Sequence, residues 1–131
     1  MSFEWADFLL VARELDGEPT YPAPPESRKR SAIGRAYYAS RGVAQTYADT
    51  RVTGGQAKPY REFDHGDLWR WFLAQDEVSL REVGVMLKDL YSMRQAADYR
   101  FDSPGIEKKS RQAILLAQGI IGSLAAPQQA G

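Results

Sequence analysis

Arg94 and Asp98 stand one helical turn apart in Leu90-Tyr91-Ser92-Met93-Arg94-Gln95-Ala96-Ala97-Asp98-Tyr99. The arginine falls where apolar spacing marks an interior position. A guanidinium keeps its proton in a protein, so wherever it is partly buried it needs anionic or carbonyl partners. Asp98 is the nearest candidate, as an i, i+4 ion pair. Two readings follow: a plain ion pair at a helix end, or a charged site built between helices.

His65 is the single histidine and sits in Phe63-Asp64-His65-Gly66-Asp67. The flanking carboxylates could raise its pKa or share a metal with it, yet no metal-ligand spacing is present, and a structural or solvated role is the plainer reading. The run Arg28-Lys29-Arg30 opens a helix, the end where the dipole disfavours cations. It is a candidate nucleic-acid contact through phosphate, with a solvated face as the alternative. Tyr21, Tyr37, Tyr38 and Tyr60 offer stacking surfaces for unpaired bases, or simply packing. No phosphate-cradling glycine loop, dinucleotide fingerprint or paired His-Glu motif occurs.

Helices must position these groups. The first spans about residues 2–15, with Trp5, Phe8, Leu9 and Ala12 on one face and Ser2 as its cap. Four prolines between 17 and 25 make a stiff connector. A longer helix over about 26–49 carries Ile33, Ala36, Tyr37, Ala44 and Tyr47 as one stripe, widened by Ala32, Ala39 and Val43. Gly34 and Gly42 each cost about 1 kcal/mol of helix propensity, which is tolerable where a neighbouring helix approaches closely. Residues 52–59 read as a loop. A third helix starts near Asp64, with Phe63 and Leu68 as a hydrophobic staple.

The fourth starts at the capping box Ser79-Leu80-Arg81-Glu82, and its stripe runs Leu80, Val83, Leu87, Leu90, Arg94, Ala97. The fifth starts at Ser103-Pro104 and buries Ile106, Ala113, Ile114, Ala117, Ile120, Ile121 and Leu124, before a frayed tail over 127–131. Strict alternation is absent, so sheet is unsupported. The expectation is an all-α protein: one antiparallel bundle of four or five helices over 1–131, with its core in about 2–125.

A chain of 131 residues with 44% hydrophobic content can bury a core without staples. It contains no cysteine, which removes disulfides and thiolate chemistry. The acidic N-terminus and the lack of an apolar run of about 18 residues point to a cytoplasmic protein that does not enter a membrane. Formal net charge is zero, which argues against a globally basic nucleic-acid binder. Between Arg28 and Arg61, however, eight bases face the single acid Asp49. No metal or cofactor is expected.

The segment Arg30-Ser31-Ala32-Ile33-Gly34-Arg35-Ala36-Tyr37-Tyr38-Ala39-Ser40, with Arg94-Gln95-Ala96-Ala97-Asp98-Tyr99 some 55 residues later, resembles the HEPN superfamily (higher eukaryotes and prokaryotes nucleotide-binding). The likeness covers roughly residues 26–125. It implies a helical bundle that commonly dimerises, and in many members a metal-independent endoribonuclease of a toxin–antitoxin or other defence system. The family's catalytic signature is an arginine followed, after four to six residues, by histidine. Carried onto this chain the arginine is Arg94, but the following positions hold Tyr99, Arg100 and Phe101. Histidine activates or protonates oxygen near neutral pH, whereas tyrosine titrates near 10. The inherited mechanism is therefore incomplete.

The resulting expectation is a HEPN-like homodimer that binds RNA, a nucleotide or a cognate protein partner. Its ligand-binding residues would be Arg35, Tyr38, Arg94, Asp98 and Tyr99, where the second and fourth helices meet. The competing enzyme would be a metal-independent endoribonuclease using Arg94 with Asp98 or Tyr99, or with His65. A third reading is a structural partner subunit.

Overall fold

A computed structural model describes residues 4–17, 25–53, 65–99 and 105–125. They form five helices and, among the described residues, no strand: α1 (Asp7–Gly17), α2 (Pro25–Thr53), α3 (His65–Leu73), α4 (Val78–Tyr99) and α5 (Ile106–Ala125). The helix ends differ from the sequence expectation in instructive ways. α1 begins at Asp7 rather than near Ser2, because residues 4–9 first make tight turns, Asp7 N to Glu4 O at 3.0 Å and Phe8 N to Trp5 O at 3.1 Å. The expected Ser2 cap lies outside the described residues. Gly17 closes α1 and Pro25 opens α2, so both ends of the proline-rich connector belong to helices. Proline suits the first helical position, whose N–H would be orphaned anyway.

α2 runs a turn beyond the expected 49. At its end Thr50 Oγ1 donates to Thr46 O at 2.9 Å, and Arg51 lies over the Tyr47 ring. α4 starts one residue before Ser79, and Glu77 supplies the cap carbonyl, accepting from Leu80 N and Arg81 N at 3.1 Å each. The Ser79 capping box is thus not the start signal that operates. Arg81 instead secures the α3–α4 turn, its Nη1 donating to Gln75 O at 3.0 Å and Asp76 O at 2.7 Å. α5 starts at Ile106 after Gly105, whose φ of 71° suits glycine. The expected Ser103-Pro104 start and the 127–131 tail lie outside the described residues.

α2 is the hub and touches every other helix. Its buried alanines 32, 36, 39, 44 and 48 let neighbours approach on several sides, and Ile33 and Tyr37 fill the space between them. Against these pack Leu68, Phe72, Leu80, Val83, Leu87, Leu90, Ile114 and Ile120. Chain direction follows from cross-helix contacts. Lys29 meets Asp16 and Arg30 meets Ala97, so α1 and α4 run opposite to α2. Ile33 shares a hollow with Ile106, and Tyr47 shares one with Leu124, so α2 and α5 run the same way. The bundle is therefore not wholly antiparallel.

Gly42 earns its place in α2, because a Cβ there would run into the indole of Trp5. At Gly34 a Cβ would meet nothing within 4 Å. The expectation of a close approach holds at one glycine of the pair, and the approaching group is a side chain of the segment before α1.

Candidate functional site

α2 and α4 meet in a layer of aromatic rings that carries two guanidinium groups. Tyr37 is buried in it, edge-on to Tyr38 at 5.3 Å between ring centres and 5.7 Å from Tyr91. Tyr91 in turn packs on Trp69 of α3 at 5.2 Å, and its hydroxyl accepts from Gln95 Nε2 at 2.7 Å. The Arg94 guanidinium carbon lies 5.2 Å from the Tyr38 ring centre and 5.8 Å from that of Tyr37, within reach of cation–π attraction. Its Nε is 3.0 Å from Asp98 Oδ2. That Nε is shielded from solvent and makes no well-aligned hydrogen bond, so the contact with Asp98 is chiefly ionic. The Arg94 side chain is 16% exposed and that of Asp98 38%; the carboxylate therefore sits on the solvent side of the pair.

Burial is the main influence on Tyr37 and holds its pKa above the usual tyrosine value, with the positive charges of Arg41 and Arg94 pulling it partly back. Two cations thus act on one buried phenol. Tyr37 stays neutral and is unsuited to act as a base near neutral pH. What the layer offers chemically is an aromatic-walled seam in which Arg94 is held by Asp98, a partly exposed counter-ion.

The expected site residues separate. Tyr38, Arg94 and Asp98 come together. Arg35 does not join them; it is exposed, with its guanidinium carbon 5.4 Å from the ring centre of Phe8 on α1. Twist alone does not part them, since residues 35 and 38 are only about 60° apart around α2; the long Arg35 side chain instead reaches the Phe8 ring that α1 places beside it. Tyr99 is the last residue of α4 and His65 the first of α3; their side chains lie outside the described residues, as do Arg100 and Phe101. Arg41 and Tyr91 belong to the layer but escaped the sequence reading. Their signal was present: Arg41 is i+4 from Tyr37, and Tyr91 is i−3 from Arg94.

The Arg28-Lys29-Arg30 run is engaged inside the bundle. Arg28 is 7% exposed and its Nη1 donates to Leu15 O at 3.0 Å. Lys29 Nζ pairs with Asp16 Oδ1 at 2.7 Å and also donates to Asp16 O. Arg30 Nη1 donates to Ala97 O at 2.5 Å. Because α1 and α4 run opposite to α2, their C-terminal carbonyls surround its N-terminus. Cations that are unfavourable for their own helix therefore satisfy orphan carbonyls and the negative dipole ends of two others. Ser110 Oγ of α5 adds a bond to Asp16 Oδ1 at 2.5 Å, tying three helices at one point.

Among the described residues no group of three His, Cys, Asp or Glu could hold a metal ion, and no helix is long and apolar enough to cross a membrane. Comparison with protein-family models, curated proteins and solved structures finds no match to this chain.

Proposed function

We propose that the chain is a HEPN-like helical domain that binds the phosphate of RNA or of a nucleotide at the α2–α4 seam. The observation that carries this is Arg94, a guanidinium held between Tyr38 and Tyr37 with Asp98 as its ionic partner. An arriving phosphate replaces Asp98 as counter-ion and gains charge-assisted hydrogen bonds, and Tyr38, partly exposed beside it, offers a ring on which a base can stack. The HEPN resemblance supports the same reading, and so does its gap: with no histidine at positions 99–101, binding without efficient cleavage is the expected behaviour. Participation in a toxin–antitoxin or defence system, and pairing as a homodimer, belong to this proposal as implications of the resemblance.

The test is fluorescence anisotropy with a labelled single-stranded RNA, competed by mononucleotides, for the native protein and Arg94→Ala, each first shown by thermal melting to fold. The expected loss is about tenfold or more. Equal affinity would remove Arg94 from the site. A parallel incubation with RNA in excess EDTA separates binding from the endoribonuclease reading, which requires cleavage that disappears in Arg94→Ala or His65→Ala.

A further inference from the structure

Away from the α2–α4 seam, the opposite part of the molecule holds a hollow of about 330 Å³ between the segment leading into α1, the second half of α2 and the end of α5. That volume is at the lower end of small-molecule sites, roughly 300–1,000 Å³. Its walls are largely apolar: Trp5, Val43 and Leu124, with the ring of Tyr47 behind. Trp5 is held as a wall by the absence of a side chain at Gly42, against which its indole lies. Tyr47 is fixed from the other side by stacking on Phe72 at 6.0 Å.

The polar groups are few and point to one chemistry. Thr46 and Thr50 each donate their hydroxyl proton to a carbonyl one turn back in α2, at 2.9 Å, so toward the hollow they offer acceptor lone pairs and methyl groups. The donors come from Arg51 and Tyr47. The Arg51 guanidinium carbon lies 4.9 Å from the Tyr47 ring centre, and its Nη2 donates to the Tyr47 hydroxyl, which leaves the phenolic proton to be given elsewhere. The ion pair of Arg51 with Glu77 is loose, 3.9 Å between partners that are both more than 40% exposed. Arginine and tyrosine together make a donor fork for a carboxylate. Glu4, an exposed residue of the lining, disfavours a second negative charge.

We infer that this hollow binds a small apolar monocarboxylate, with its carboxylate on Arg51 and the Tyr47 hydroxyl and its body against Trp5, Val43 and Leu124. The site is independent of Arg94. It is tested by isothermal titration with 1-naphthoate and its uncharged counterpart 1-naphthamide, on the native protein, Arg51→Met, Tyr47→Phe and Arg94→Ala, each checked by melting. Naphthoate is expected to bind saturably to the native protein and to Arg94→Ala alike. The amide, and naphthoate on Arg51→Met, should bind about tenfold more weakly, with several-fold weakening in Tyr47→Phe, which keeps its ring on Phe72. No saturable binding at millimolar naphthoate, equal affinity for naphthoate and the amide, or unchanged affinity in Arg51→Met would each overturn the inference.

Discussion

Replacing the two α2 glycines by alanine separates intrinsic helix propensity from tertiary contact within one helix. At Gly34 a new Cβ meets nothing within 4 Å, so Gly34→Ala should gain the propensity difference, about 1 kcal/mol. For a domain of this size that raises Tm by roughly 4 °C. At Gly42 the same methyl runs into the Trp5 indole, which must leave α2. Trp5 is 39% exposed, and displacing it uncovers on the order of 100 Å² of apolar surface, about 2.5 kcal/mol at 25 cal/mol per Å². After the propensity gain the net loss is about 1.5 kcal/mol, a fall in Tm of roughly 6 °C. Thermal melting by circular dichroism reads both, and a Trp5→Ala background completes the cycle: with the indole gone, Gly42→Ala should stabilise as Gly34→Ala does. If Gly42→Ala stabilises the native protein as much as Gly34→Ala does, the packing of Trp5 on α2 is wrong, and the wall of the carboxylate hollow falls with it.

Asp98→Asn removes the anion that competes with an arriving phosphate. For a partly exposed ion pair worth about 0.2–1 kcal/mol, RNA affinity at the α2–α4 seam should rise about 1.5- to 5-fold by anisotropy, whereas Arg94→Ala lowers it; a fall in Asp98→Asn would contradict the counter-ion role. The raised pKa of Tyr37 means that the unfolded chain, whose tyrosine titrates near 10, sheds this proton before the folded one does. Stability from this group is therefore complete below pH 10 and declines above it, by at most about 1.4 kcal/mol per pH unit. Tyr37→Phe should show a correspondingly shallower alkaline fall in Tm, and an identical slope would place the Tyr37 hydroxyl in contact with water.

The five helices were legible in the chain because each needs only its own apolar period: Trp5, Phe8, Leu9 and Ala12 for the first, Leu80 through Leu90 for the fourth. The start of α4 differs by a residue from the Ser79 box, because the first helical hydrogen bonds go to Glu77 O, while the Arg81 side chain pins the preceding turn through Gln75 O and Asp76 O. Half of the seam was also visible, because Arg94 and Asp98 are local partners at i and i+4.

What the linear order could not convey is which helix lies beside which, and in what direction. Arg28, Lys29 and Arg30 look like a free basic patch until α1 and α4 are seen to run opposite to α2 and bring their carbonyl ends to it. Arg35 looks like a companion of Arg94 until α1 is seen to place the Phe8 ring within its reach. Periodicity is a property of one helix and is written in the amino-acid sequence. The fate of a long cationic side chain depends on the carbonyl, ring or carboxylate that a second helix places within its reach, and that is decided by packing.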